Sequence, residues 1–177
     1  MKITRLTPVY SHSCIENRVR ELGEQISALY GEEPLVAVCV LKGAVVFFSD
    51  LIRHITDTNL TLDFVRLSSY ADGMESGTLN FVRDLEADIR DKHVLIVEDV
   101  VDSGKSMAFL LDTLRRRGPR SLRLAALVDK KERRVADVHV DFAGFELNQG
   151  FIVGYGLDCA ERFRALPDIC VAECSTD

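Results

Sequence analysis

The chain has 177 residues, of which 47% are hydrophobic and 28% charged, a balance typical of one globular domain spanning residues 1–177. Its formal net charge of −6 argues against a surface that coats nucleic acid, although it permits a local positive site for a small anion. No apolar run is long enough to span a bilayer, and the start of the chain lacks the apolar core of a signal peptide.

A helix, a buried strand and a second helix are predicted first. Ser13 and Glu16 form a capping-box pattern, after which apolar residues recur at alternating intervals of four and three. Residues 34–41 form a continuous apolar run typical of a buried strand. The run ends at Lys42 and Gly43, and helical spacing then resumes, so this stretch predicts the front of a βαβ unit.

The next segment predicts two strands, residues 60–67 and 79–83, with residues 68–78 between them. The intervening residues are mostly polar and include two glycines. On composition alone, this intervening segment is a surface hairpin loop.

The middle of the chain, residues 93–107, joins a strand pattern to a helix pattern. Residues 94–97 form an apolar run that suits a strand buried on both faces, and Glu98 and Asp99 end it. Small and hydroxyl-bearing residues follow at 102–106, and apolar residues then recur at helical spacing. A buried strand, an acidic rim and a phosphate-binding turn at a helix start together indicate a nucleotide or sugar-phosphate site at the edge of a parallel sheet.

The Gly104-Lys105-Ser106 triplet permits three interpretations. A Walker A loop needs a glycine five residues before Gly104, and Asp99, a carboxylate that would repel phosphate, stands there. A shorter cradle fits better, in which backbone N–H groups and hydroxyls of this turn hold one phosphate monoester. The third interpretation, an ordinary turn with Ser103 as the helix cap, does not require the carboxylates beside it.

Three more strands are predicted beyond the central helix, at residues 122–128, 138–142 and 169–171. The second of these rests on alternating apolar and polar residues, which is the period of a half-buried strand. The central helix itself ends in three arginines and Gly118, which we interpret as capping and solvation rather than as a phosphate or RNA patch.

The stretch VLIVEDVVDSGKSM, residues 94–107, resembles the phosphoribosyl-pyrophosphate loop of type I phosphoribosyltransferases, and Asp102 points to their hypoxanthine-guanine branch. Further segments resemble the family in the same order, so that the resemblance covers residues 34–171. It implies an α/β fold with a mainly parallel central sheet, helices on both faces, and a small hood built from the N-terminal residues and the C-terminal segment.

The resemblance also implies a role for each matched residue. Asp102 would be the general base that takes the purine N7 proton. Lys130 would donate to the 6-oxo group of the purine, with Lys131 as the neighbouring alternative. The other assignments are the 5′-phosphate and ribose site at Glu98, Asp99, Ser103, Gly104, Lys105 and Ser106, the pyrophosphate site at Lys42, Gly43 and Arg164, the purine contacts Phe151 and Ile152, the lid residues Ser69 and Tyr70, and Mg²⁺ ligands at Glu98, Asp99 and Asp158.

Some of these residues have plainer alternatives. Lys42 is otherwise a solvated turn lysine, and Phe151 a core residue. Family members often have a non-proline cis peptide bond before the lysine that Lys42 matches. The sequence does not decide whether the Leu41–Lys42 bond is cis or trans.

The implied reaction transfers the 5-phosphoribosyl group from phosphoribosyl pyrophosphate to hypoxanthine or guanine, giving IMP or GMP and pyrophosphate in purine salvage. A regulator of the same fold that senses nucleotide and binds RNA is the alternative, although such proteins are expected to have a basic face and this chain is acidic overall. Family members are usually dimers or tetramers, so we expect a homodimer or homotetramer. The five cysteines lack zinc-type spacing, which predicts reduced thiols and a cytoplasmic protein.

Overall fold

The computed structural model describes residues 2–56, 59–69 and 79–175. Its elements follow in the order β1 (Lys2–Tyr10), α1 (His12–Tyr30), β2 (Leu35–Val40), α2 (Val45–Ile52), β3 (Leu60–Ser69), β4 (Leu79–Arg83), β5 (His93–Val101), α3 (Lys105–Arg115), β6 (Ser121–Lys130), β7 (Phe142–Leu147), β8 (Ile152–Val153) and β9 (Ile169–Ser175). Within these residues, no helix has both the length and the apolar character needed to cross a membrane.

Among the described residues, the central sheet has six strands in the order β4-β3-β2-β5-β6-β7. Neighbouring strands in it are parallel, except that β3 and β4 pair antiparallel. Strand β2 is buried along its whole length because helices cover both faces, and this explains its continuous apolar run. The predicted fold class, an α/β protein with a mainly parallel sheet, is therefore confirmed.

Alternate residues of the inner strands face opposite layers of helices. Leu35, Ala37 and Cys39 of β2 pack in one apolar cluster with α1 and α2. Val36 and Val38 point the other way and pack in a second cluster with α3. This alternation follows from the two-residue period of a strand, and it puts α3 across the sheet from α1 and α2.

A second sheet, in the order β1-β9-β8, joins the chain start to the C-terminal segment, and we call it the hood sheet. Strands β1 and β9 pair antiparallel, from Lys2 opposite Ser175 to Tyr10 opposite Ile169. The Tyr10 ring stacks on Phe145 of β7 with 4.0 Å between ring centroids, which ties the hood sheet to the central sheet. The extent of the domain, residues 1–177, stays a prediction.

The start of α1 differs from the prediction. Ser11, not Ser13, is the N-cap, and its Oγ accepts a hydrogen bond from the Cys14 N–H at 3.4 Å. Ser11 has extended backbone and so stands just outside the helix, where a hydroxyl can accept from the first turn. The helix ends at Tyr30, and the capping residue Gly31 has a φ of 55°, which favours glycine.

The strand predicted at residues 138–142 is wrong, because β7 begins only at Phe142. Val138 is buried on the α3 side of the sheet, so the alternation reflects burial rather than strand pairing. The Asp141 carboxylate accepts the Leu124 N–H at 2.9 Å. The Asp141 side chain thus accepts the N–H of a β6 residue at the point where β6 and β7 approach. Backbone pairing between the two strands begins one residue later, with Ala125 opposite Phe142.

Candidate active site

The carboxyl ends of β2, β5 and β6 meet at one edge of the central sheet. Strand β5 pairs in parallel with β2 on one side and with β6 on the other. Lys42 and Gly43 follow β2, Glu98 and Asp99 lie on β5, and Lys130 ends β6. Because parallel strands end at the same edge, residues far apart in the sequence come together here.

The turn between β5 and α3 forms the candidate phosphate cradle. Its N-cap is Gly104, which has a left-handed φ of 79° and no side chain to cap the helix. Ser103 is therefore not the N-cap, although its Oγ accepts a long hydrogen bond of 3.4 Å from the Lys105 N–H. A cavity of about 200 Å³ lies over this turn, and Glu98 and Ser106 are among the residues that line it. The N–H groups at the start of α3 favour an anion there.

A second cavity, of about 160 Å³, shares Asp102 with the cradle and is lined by Lys130. Lys130 is only 6% exposed, and its Nζ donates to the Gly150 carbonyl at 2.9 Å. The same Nζ lies 3.9 Å from Asp102 Oδ2. Lys131 is exposed instead and its Nζ donates to Glu146 at 2.8 Å, so Lys130 is the lysine of this cavity.

Phe151 lines the same cavity and is 41% exposed. A ring this open to solvent is not a core residue, so the core interpretation of Phe151 is wrong. Its carbonyl accepts the Ala172 N–H at 2.7 Å, and the next residue, Ile152, pairs with Val171 of β9. The hood sheet therefore fixes the backbone at the predicted purine contacts and leaves the ring partly uncovered.

The acidic rim packs directly on the turn after β2. Glu98 is 8% exposed, and burial, a hydrogen bond with Asp99 and the negative charge of Asp99 raise the pKa of Glu98 well above its ordinary value. The Asp99 carboxylate lies against Gly43, where a Cβ atom would collide with it. Gly156 likewise leaves room for the Gly43 carbonyl. Glycines at these two positions let three loops approach more closely than side chains would permit.

Lys42 and Arg164 both contact Glu161. Arg164 Nη1 donates to the Gly156 carbonyl at 2.8 Å, and Nη2 lies 2.8 Å from Asp158 Oδ1. Glu161 Oε2 contacts both Lys42 Nζ at 3.1 Å and Arg164 Nη2 at 3.4 Å. The peptide bond before Lys42 is cis. The side chains predicted for pyrophosphate thus lie beside the predicted Mg²⁺ ligand Asp158.

The predicted lid falls largely outside the described residues. Tyr70 belongs to residues 70–78, which are not among them. Ser69 ends β3 and pairs through its backbone with Leu79 of β4. The lid assignment stays a prediction.

A larger cavity, of about 450 Å³, lies away from these residues, between the start of α1, the end of α2 and Tyr155. The Tyr155 hydroxyl donates to Asp50 Oδ2 at 2.5 Å, and burial raises the pKa of Tyr155. None of the residues that the sequence predicts for the site lines this cavity. We assign the site to the two smaller cavities because they contain the carboxylates, the cradle and Lys130.

Arg134 holds two site segments together, and the sequence analysis missed it. Its guanidinium group donates to the carbonyls of Val101 and Asp102 at 2.9 Å each. It also donates to the Lys130 carbonyl at 3.0 Å and pairs with the buried Asp129 carboxylate. Arg134 stands in an unbroken charged run, residues 129–134, in which no periodicity marks one arginine as buried.

Comparison with known proteins identifies the family. Residues 7–160 match the family model of the phosphoribosyl transferase domain. Hypoxanthine-guanine phosphoribosyltransferases of Bacillus subtilis (strain 168) and Aquifex aeolicus (strain VF5) are 42% and 44% identical to the chain. These matches cover 88% and 90% of this chain, and 86% and 90% of the relatives. A crystal structure of a hypoxanthine-guanine phosphoribosyltransferase from Bacillus anthracis has a TM-score of 0.89 at 38% identity, and the match covers 98% of this chain and 100% of that one.

The chain therefore belongs to the phosphoribosyltransferase family. Within that family it belongs with the hypoxanthine-guanine phosphoribosyltransferases, which are enzymes of purine salvage. The alternative prediction, a regulator that binds RNA, finds no support among these relatives.

Replacement of Arg134 by methionine is expected to destabilise the protein by about 3–5 kcal/mol, because Asp129, which is 7% exposed, would keep a buried charge without its partner. Urea unfolding followed by circular dichroism measures this loss. The matched control is Arg133→Met, an exposed neighbour of the same type, which should change stability by less than about 0.5 kcal/mol. Equal effects of the two variants would contradict the bridging role of Arg134.

Cys39 is expected to resist thiol reagents in the folded protein. It is fully buried on β2, and burial, with the charges of Glu98 and Asp99 adding to it, raises its pKa to about 12. At pH 8 it therefore stays a neutral, covered thiol, whereas the exposed Cys14 reacts. Timed labelling with a maleimide, mapped by mass spectrometry, should modify Cys14 first and Cys39 only after unfolding in urea. Rapid labelling of Cys39 in the folded protein would contradict this prediction and show that the reagent reaches the core around β2.

Proposed function

We propose that this chain catalyses the Mg²⁺-dependent transfer of the 5-phosphoribosyl group from phosphoribosyl pyrophosphate to hypoxanthine or guanine, giving IMP or GMP and pyrophosphate. The observation that carries the proposal is that Asp102 lines both the phosphate cradle and the cavity of Lys130 and Phe151. A sugar phosphate anchored in the first cavity and a flat base in the second would meet beside Asp102.

Lys130 and Asp102 suit a 6-oxopurine. An ammonium group only donates hydrogen bonds, so Lys130 favours a 6-oxo group over a 6-amino group. Asp102 Oδ1 is buried and has no hydrogen-bond partner among the described residues. A buried acceptor without a donor costs about 1–3 kcal/mol, and the N7–H of a bound purine would supply that donor. Asp102 would then take the N7 proton as general base, while Phe151 and the backbone of Ile152 hold the ring.

Positive charge develops on the ribose as pyrophosphate leaves and the purine nitrogen attacks. The carboxyl groups of Glu98 and Asp99 would bind the ribose hydroxyls, and the negative charge of this hydrogen-bonded pair would stabilise the positive charge on the ribose. The cradle at residues 103–106 would bind the 5′-phosphate, which fixes the anomeric carbon with binding energy remote from the breaking bond.

Lys42, the Gly43 N–H and Arg164 would receive the leaving pyrophosphate. Arg164 Nε is buried and has no hydrogen-bond partner among residues 2–56, 59–69 and 79–175. A group of anionic oxygens beside it would satisfy this donor, and a planar guanidinium suits phosphate oxygens. The arrangement therefore favours a diphosphate at this end of the site.

The carboxylates of the site suit Mg²⁺. Asp99 and Asp158 line one cavity, and Glu98 adjoins Asp99. Within the described residues, no three such side chains cluster closely enough to hold a metal ion by themselves. Mg²⁺ commonly takes one or two carboxylates and fills its other positions with water or substrate phosphate oxygens, so this oxygen set fits it. When bound, the ion would neutralise charge on the departing diphosphate.

Three further parts of the proposal rest on the family resemblance. Ser69 and Tyr70 would belong to a lid that keeps water away from the ribosyl cation. The protein would act as a homodimer or homotetramer. It would act in the cytoplasm on small-molecule substrates.

Replacement of Asp102 by asparagine is expected to lower kcat by about 10²- to 10⁴-fold, because the amide keeps the shape of the side chain and cannot accept a proton. The assay follows IMP formation from hypoxanthine, phosphoribosyl pyrophosphate and Mg²⁺. Asp112→Asn, an exposed position on α3, is the matched control and should leave kcat unchanged. Absence of IMP with the unaltered protein would refute the function, and equal kcat for the two variants would refute the general-base role.

Lys130→Met should raise the KM for hypoxanthine by about 10- to 100-fold, the loss expected for one hydrogen bond from a charged donor. Lys131→Met, one residue away and exposed, should leave that KM unchanged. The comparison uses the same assay with the base as the varied substrate. The reverse pattern would assign base recognition to Lys131.

A further inference from the structure

A two-residue turn with unfavourable backbone lies beside the pyrophosphate residues. Cys159 and Arg162 each donate an N–H to the carbonyl of the other at 3.1 Å, which closes a tight turn around two residues. Those two, Ala160 and Glu161, have φ angles of 51° and 63°. Turns that require positive φ at both central positions strongly favour asparagine and glycine, and this turn has neither. Backbone of this kind persists where the surrounding structure over-determines it, often at ligand sites.

The turn presents the Glu161 carboxylate to two cations. Glu161 Oε2 lies 3.1 Å from Lys42 Nζ and 3.4 Å from Arg164 Nη2. The Glu161 N–H donates to Asp158 Oδ2 at 2.8 Å, which holds the turn in this orientation. At neutral pH this exposed carboxylate is a negative charge between two positive ones.

The side chain of Glu161 is 64% exposed, and that of Lys42 is 49% exposed. Exposed ion pairs of this kind are weak and are screened by salt. A ligand with several anionic oxygens therefore displaces the single carboxylate at small cost. The contact is consequently reversible and does not lock the two cations.

We infer that Glu161 is an internal competitor for the diphosphate and that its carboxylate lowers the affinity of the site for pyrophosphate. This inference rests on the proposed function, because Lys42 and Arg164 are the cations given there to the leaving group. A bound diphosphate brings negative oxygens to the same two side chains. Glu161 must then either move away from its partners or remain as a like charge beside the ligand, and both outcomes weaken binding.

A lower affinity for pyrophosphate speeds the dissociation of this product. Release or opening steps, rather than chemistry, limit turnover in many enzymes. Glu161 does not line the cavity that contains Lys130 and Phe151. Its effect should therefore appear in constants for diphosphate ligands and not in the KM for the base.

A purely structural role for Glu161 makes the opposite prediction. If the carboxylate only orients Lys42 and Arg164 for the ligand, then its removal loosens both side chains and weakens pyrophosphate binding. The sign of the change in pyrophosphate affinity therefore separates competition from positioning.

The test compares Glu161→Gln with the unaltered protein. We expect the dissociation constant for inorganic pyrophosphate with Mg²⁺, measured by isothermal titration calorimetry, to fall about 3- to 10-fold, as for the removal of one screened like charge. The inhibition constant of pyrophosphate in the forward reaction should fall in parallel, and the KM for hypoxanthine should stay the same. Glu173→Gln, an exposed glutamate on β9, is the matched control and should change none of these values.

Glu161→Gly provides a second variant that removes the carboxylate and also suits the positive φ of this position. Tighter pyrophosphate binding in both variants supports the inference. Unchanged or weaker binding in the folded variants overturns it, even where the unaltered protein makes IMP. Failure of the unaltered protein to make IMP refutes the proposed function instead, and calorimetry still reports whether Glu161 opposes pyrophosphate.

Discussion

Parallel pairing of β2, β5 and β6 is the constraint on which the rest of the site depends. The register of these strands brings the residues after β2, the carboxylates of β5 and Lys130 to one edge before any loop contact is made. Loop contacts then fix the details, since Arg134 binds carbonyls from two strand ends and Gly156 admits the Gly43 carbonyl. Strand pairing thus determines where the site lies, and the contacts of a few side chains determine its detailed geometry.

The cations of the site already have internal partners. Lys42 contacts Glu161, Arg164 contacts Asp158, and Lys130 donates to the Gly150 carbonyl. If these residues bind substrate as proposed, binding exchanges one set of partners for another and does not meet unpaired charges. An exchange of this kind lowers the cost of keeping charged groups in a partly buried site while leaving them available to anionic ligands.

Burial patterns explain how much the sequence alone predicted. The continuous apolar runs of β2 and β5 and the helical spacing of α3 follow from packing on both faces of a parallel sheet, so they were visible as periodicity. The burial of Arg134 could not be predicted, because nothing in the sequence distinguishes it from the exposed charged residues beside it. The start of β7 was misjudged for a related reason, since Val138 is buried without being paired.

The contribution of Glu161 had no local signal either. The turn that contains Glu161 has positive φ at Ala160 and Glu161, and neither alanine nor glutamate is typical of such a turn. The family resemblance supplied the neighbouring positions Asp158 and Arg164, but the contact that joins them to Lys42 appears only in three dimensions.

The hood sheet pairs β1 with β9, so its contacts join residues that are far apart in the sequence. Thr4 Oγ1 donates to the Glu173 carbonyl across a separation of 169 residues, whereas the cradle carbonyl of Ser103 accepts from Val135 within the same half of the chain. Loop-closure entropy is greater for the first of these contacts, so nearby contacts form earlier in folding. We therefore expect the turn of the cradle to form before the hood sheet, in which β8, next to Phe151, pairs with β9 and β9 pairs in turn with β1.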